Sequence, residues 1–201
     1  MLSSRAITAL SGAALAGGIG AAVARQSTGQ VNRAVRRRIH PGRSPAVKSL
    51  AKGVSFLAGP YSHPFVAGGL GTLMRLQRGK GGAGPVAASL GTLAFDNLAR
   101  VFVHQRRPPK AGSHVGRYRH AFPSGHVTAA TAIAVATAGE VADQLSPAQR
   151  RLLWTSVAAL SVAIGWSRLY LDEHWMDDVA GGLMAGVAIG LGAATVSAYT
   201  P

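Results

Sequence analysis

His174 and Asp178 stand four residues apart, a spacing that puts both side chains on one face of a helix. A carboxylate placed there can hold one imidazole N–H, fix the tautomer, and leave the other nitrogen free to attack an electrophile such as phosphorus. Asp177 is the neighbouring carboxylate, but its position on the same helix turns it away from His174. The plainer reading is a helix-start acid that complements the dipole, beside an interfacial histidine. Pro123-Ser124-Gly125-His126 is a second cluster. Proline at a helix start with serine as the cap leaves backbone N–H groups pointing outward, and with the Ser124 hydroxyl these form an anion site. Gly125 permits close backbone approach, and His126, one residue further on, can protonate a leaving group. An ordinary capped helix start is the competing account of this cluster. Arg100, Arg107 and Arg168 are fixed cations able to grip phosphate oxygens and to neutralise charge during phosphoryl transfer without a metal. Arginines that snorkel to an interface are the alternative, and it suits Arg106, Arg117 and Arg119 better.

The elements that must position these residues are apolar blocks rich in glycine and alanine. The blocks cover 6–24, 54–74, 84–103, 123–142, 152–171 and 175–199. Each is about long enough to cross the ~30 Å hydrocarbon core, although small residues make each span marginal alone and dependent on neighbours. The expected fold class is all-α, a six-helix transmembrane bundle with the site at one membrane face. Charged residues at the ends of such spans are functional candidates by default. A polar, basic stretch at 104–122 must lie outside lipid, and Pro60, His63 and Pro64 interrupt the second block. The chain reads as one domain: an apolar span and basic interfacial segment at 1–53, then a helical core at 54–201. The first block also fits a cleaved signal peptide, with Ala22-Val23-Ala24 at the cleavage position.

Composition narrows the partners. The 201 residues carry 21 Lys+Arg against 7 Asp+Glu, a net charge of +14, which suits anionic lipid, nucleic acid or a phosphorylated substrate. The basic segment 25–52, with Arg36-Arg37-Arg38, lacks interleaved aromatics for base stacking, so nucleic acid is not expected as a partner. Anionic membrane lipid is. With no cysteine, thiolate catalysis and cysteine-held metals are excluded, and no metal or cofactor is called for.

Taken together, Arg100-x6-Arg107-Pro108, Pro123-Ser124-Gly125-His126 and Ser167-Arg168-x5-His174-x3-Asp178 resemble the three motifs of the type 2 phosphatidic acid phosphatase family, in its order. The resemblance covers 100–178 and implies a membrane phosphatase. In it His174 is the nucleophile, Asp178 its partner and His126 the general acid, while Arg107, Ser124, Gly125 and Arg168 bind phosphate. The implied substrate is a lipid phosphate or (poly)prenyl diphosphate, hydrolysed through a phosphohistidine without metal. The family's first motif usually begins with lysine; Arg100 stands there instead, and Asp96 one turn earlier is placed to pair with it. Vanadium haloperoxidases resemble the same motifs but are soluble. A non-catalytic, membrane-anchored binder of anionic lipid is a further alternative, for which His174 has no use. A Gly/Ala/Arg-rich composition is in keeping with a GC-rich bacterial genome, and a bacterial plasma (inner) membrane is the expected location. The resemblance sets the pocket on the outer face, whereas the positive-inside rule, applied to 25–52, sets it inward.

Overall fold

In the computed structural model the described residues are 13–14, 16–23, 28–39, 44–56, 58–79, 81–108 and 120–196. Of the basic stretch expected at 104–122, residues 109–119, with Lys110, Arg117 and Arg119, lie outside them. Among the described residues the regular structure is helical throughout. Residues 16–23 are helical, followed by α1 (Gly29–Ile39), α2 (Pro45–Phe56), α3 (His63–Arg78), α4 (Ala83–Phe102), α5 (Gly125–Val141), a 3-10 turn (Ala142–Gln144), α6 (Pro147–Tyr170) and α7 (Met176–Val196).

The last four long helices fall where the apolar blocks predict them, because their ends carry strong stop and start signals. Ser146 caps α6 through a reciprocal box with Gln149, and Pro147 occupies its first turn. Gly79, Gly81 and Gly82 adopt positive φ between α3 and α4, which glycine adopts without penalty. The block at 54–74 behaves differently. It is not one helix: α2 ends at Phe56, a turn runs through Gly59 and Pro60, and α3 starts at His63. Proline lacks the N–H a continuing helix needs, so Pro60 breaks the run, while Pro64 fits the opening turn of α3. The basic segment is also more ordered than its charge suggests, since α1 and most of α2 lie within 25–52, and residue 53 falls inside α2.

Packing is built on small residues. Gly182, Gly186 and Gly190 recur every fourth residue of α7 and face α5. A Cβ at Gly190 would lie 2.6 Å from the Ala132 carbonyl oxygen, and one at Gly186 2.6 Å from Thr131 Cβ. This close approach brings the starts of α5 and α7 side by side. Ala67, Ala88, Ala132, Ile133, Ala136 and Ala193 fill the far half of the bundle, and Ala58, Val127, Ile164 and Val179 pack nearer the site. Large apolar side chains instead point outward: Phe65, Leu76, Leu90, Leu98, Phe102, Leu152 and Val162 are exposed. A bundle with alanine inside and leucine or phenylalanine outside is arranged for a lipid surround. By length and composition, α6 and residues 176–195 of α7 are sufficient to cross a membrane.

Candidate active site

The residues singled out by type and spacing gather at one end of the bundle. Arg100, Arg107, Gly125, His126, Arg168 and His174 line a single cavity of about 1150 Å³. Ser124 and Asp178 sit directly behind it, fully buried. Three helix ends make this possible: the C-terminal ends of α4 and α6 and the N-terminal end of α5, with the short loop into α7.

The starts of α5 and α7 are tied by a hydrogen bond from the Ser124 backbone N–H to the Asp178 carbonyl, 3.1 Å. Asp178 Oδ2 accepts the Trp175 backbone N–H at 2.7 Å and stands 3.4 Å from His174 Nδ1. The carboxylate is thus fixed by main chain beside the imidazole, at ion-pair distance from Nδ1 but not hydrogen-bonded to it. Free sites often show such contacts loose, and they tighten on substrate. His174 lies between α6 and α7, outside the spanning helices. Burial first, then the Arg107 and Arg168 guanidiniums and His126, push its pKa well below the ordinary histidine range; a backbone hydrogen bond at Ala121 pulls the other way. At neutral pH the ring is therefore uncharged, as a nucleophile requires.

Ser124 occupies the N-cap position of α5, yet its hydroxyl makes no hydrogen bond among the described residues although fully buried. The buried Arg168 Nε is also without a partner among them. Two buried donors left open beside a histidine pair call for an anion. The close approach foreseen at Gly125 is real: a Cβ there would meet Asp96 Oδ2 at 2.5 Å. Asp96 accordingly turns toward the start of α5; no contact with Arg100 within ion-pair distance is found, although the Arg100 charge still acts on the carboxylate one helical turn away.

Asp177 points away from His174, as its spacing predicts. It accepts hydrogen bonds from Thr28 (2.5 Å), Asn32 (2.8 Å) and Gln105 (3.1 Å), which dock α1 and the stretch after α4 against the start of α7. Arg36 of the basic segment pairs with buried Asp172 at 3.0 Å, so part of that segment's charge serves the fold rather than lipid. Trp175 Nε1 donates to the Arg106 carbonyl at 2.7 Å.

Sequence reasoning missed two features of the cavity. His63, buried at the start of α3, lines it and contacts Ser89 Oγ at 3.1 Å. Glu173 lines it too, with Oε2 2.6 Å from Arg107 Nη1 and 3.6 Å from Arg168 Nη2. Its signal was present, an acid immediately before the candidate nucleophile, but it lay in what was read as a spacer. The same cavity is also lined by apolar side chains, among them Phe56, Tyr61, Phe65, Val66 and Leu93.

The family model of the PAP2 superfamily matches residues 85–200, more than half of the chain and all three motifs. Among solved structures, the crystal structure of a transmembrane PAP2-type phosphatidylglycerolphosphate phosphatase from Bacillus subtilis superposes with a TM-score of 0.80. It shares 19% sequence identity, and the match covers 96% of each chain, so the similarity is one of fold across nearly the whole molecule. No curated protein sequence matches the chain.

Proposed function

The chain belongs to the PAP2 superfamily, and on that premise we propose that it hydrolyses a lipid phosphate or (poly)prenyl diphosphate through a phosphohistidine on His174. The observation that carries this reading is the convergence of His174, backed by Asp178, with His126, Arg107 and Arg168 on one cavity that also has an apolar wall.

In the first step the neutral His174 Nε2 attacks phosphorus while His126, able to hold a proton once the bound phosphate offsets the Arg168 and Arg107 charges beside it, gives that proton to the departing alkoxide or phosphate. A P–N bond forms as the P–O bond to the lipid breaks. Asp178 stabilises the positive charge that develops on the imidazole. Arg107, Arg168, the Ser124 hydroxyl and the α5 backbone N–H groups hold the equatorial oxygens, where charge accumulates in transfer. In the second step His126 takes a proton from water as its oxygen attacks phosphorus. The P–N bond then breaks, releasing inorganic phosphate and restoring both histidines. Arg100 is more exposed at the cavity rim and would grip a peripheral oxygen. These cations are assigned the charge neutralisation that a metal performs in other phosphoryl transfers.

The apolar wall supports an acyl or prenyl chain as the rest of the substrate. Phe56, Tyr61 and Phe65 are 72%, 70% and 82% exposed, a cost in water that a lipid chain or bilayer removes. We place the protein in a membrane, with α6 and α7, the described helices long and apolar enough to cross it, among its spans. The location is assigned to the bacterial plasma membrane, with surrounding anionic lipid.

Phosphate release from a panel of lipid phosphates and diphosphates, in detergent with EDTA present, tests the reading. Turnover by the native protein, lost in His174→Ala, and higher efficiency on long-chain than on short soluble phosphates are the expected results. Release that survives the substitution would remove His174 as nucleophile. Equal efficiency on short substrates would remove the lipid wall. No release from any substrate by folded protein would favour a non-catalytic binder of anionic lipid.

A further inference from the structure

Glu173 sets a carboxylate against both arginines assigned to the phosphate. Its Oε2 lies 2.6 Å from Arg107 Nη1 and 3.6 Å from Arg168 Nη2, on the cavity wall beside His174. One carboxylate oxygen between two guanidiniums sits where an oxygen of a bound phosphate would have to go. A role as a strut for Arg107 does not account for it, because the Glu173 backbone carbonyl already accepts from the same Arg107 Nη1 at 3.1 Å. The side chain is not locked in by burial, being 17% exposed on the cavity side.

We propose that Glu173 is a tethered counter-anion that fills the phosphate site of the empty protein and sets a charge threshold for the group that displaces it. The inference rests on the phosphatase reading above, since it takes Arg107 and Arg168 as the substrate's grip. A side chain on a short tether competes at an effective concentration on the order of millimolar or higher. A phosphodiester head group brings a single negative charge. Exchanging Glu173 for it gains no charge, loses the tether, and leaves a carboxylate to find water. A phosphomonoester, or the terminal phosphate of a diphosphate, carries about −1.5 to −2 at pH 7, so its exchange gains Coulomb energy with two nearby cations. The threshold therefore separates the substrate class from the phosphodiester lipids that crowd a membrane-embedded cavity. Free from its lipid, inorganic phosphate has the returning carboxylate as a competitor, which weakens product inhibition.

The test measures binding and selectivity together in wild type and Glu173→Gln, which removes the charge while keeping an oxygen for Arg107. Binding of radiolabelled inorganic phosphate is read by equilibrium dialysis. Inhibition of monoester turnover by phosphatidylglycerol, a phosphodiester lipid, is read alongside. The variant is expected to bind inorganic phosphate about 3- to 10-fold more tightly, and to be inhibited by phosphatidylglycerol at roughly 10-fold lower concentration. Glu173→Asp, which keeps the charge, is expected to stay close to wild type on both readings. Should Glu173→Gln fail to fold, Glu173→Ala is predicted to move both in the same direction. Unchanged or weaker phosphate binding in a folded neutral variant, with unchanged diester inhibition, would overturn the inference and leave the phosphatase reading standing. Failure of the wild type and every variant to bind inorganic phosphate at all would overturn both.

Discussion

Two serines in this protein hold the same local position and are used in opposite ways. Ser146 precedes α6, its hydroxyl accepts the Gln149 N–H at 3.4 Å, and its own N–H donates to Gln149 Oε1 at 3.0 Å. Ser124 precedes α5, is fully buried, and gives its hydroxyl to nothing among the described residues. A helix start normally spends its serine on its own orphan N–H groups. On the proposed function, the open bonding capacity of Ser124 is what a phosphate oxygen would take up. The wider contrast follows the same line. At the turn before α4, Glu140 accepts the Gly82 and Gly84 N–H groups at 2.8 and 2.7 Å and serves the fold. At the cavity end, Glu173 faces two guanidiniums and the cavity instead.

Substitutions can break this comparison in order of size. The largest effect among the helix-start residues is expected at His126. His126→Gln should lower turnover of lipid monophosphates by about 10²- to 10⁴-fold, the range for losing a general acid. The loss should be smaller when the leaving group is a phosphate, and equal losses for both leaving groups would contradict the acid role. Ser124→Ala should cost roughly 10- to 100-fold in kcat/KM, as for one donor to a transferring phosphoryl group. Its melting temperature should hold, since no hydrogen bond is lost. A large drop in stability with intact turnover would reverse the comparison.

The pH dependence of stability comes next. His174 has a pKa held below that of an unfolded histidine, so the unfolded chain binds a proton first as the pH falls. Its contribution to stability is complete above about pH 6.5 and declines below it, by at most ~1.4 kcal/mol per pH unit for one uncompensated proton. Thermal melting between pH 7.5 and 5 should show a shallower decline in His174→Asn than in wild type; parallel slopes would mean that His174 is not held neutral by the fold. The smallest effect belongs to Ser146→Ala, about 1 kcal/mol of stability with unchanged turnover. Lost activity there would show that the two serines are not so different.

Much of this architecture can be read from the chain itself, for physical reasons that also mark where reading fails. Helices α4 to α7 are legible because their lengths match a bilayer and Ser, Pro or Gly stands at their ends. His174 and Asp178 meet because four residues is a helical turn, and Asp177 is excluded for the same reason. The break at Pro60 had its signal in the proline, yet apolar content argued for a continuous span. The docking of α1 through Asn32 and Arg36 was not legible, because it depends on acids about 136 to 145 residues away in sequence. Nor was the turn of Asp96 toward Gly125, which a tertiary approach decides. Glu173 was overlooked because a fixed motif spacing makes its intervening residues look interchangeable, whereas the short loop into α7 gives them fixed positions in the cavity.

The proposed hydrolysis stands or falls on a covalent bond between His174 and phosphorus. Rapid quenching of the purified protein with phosphate-labelled lipid substrate, followed by mapping of the labelled peptide, tests it most directly. An acid-labile, base-stable label on His174 that forms within one turnover and is absent from His174→Asn is the expected result. Turnover that proceeds with no labelled intermediate, or a label on another residue, would contradict it.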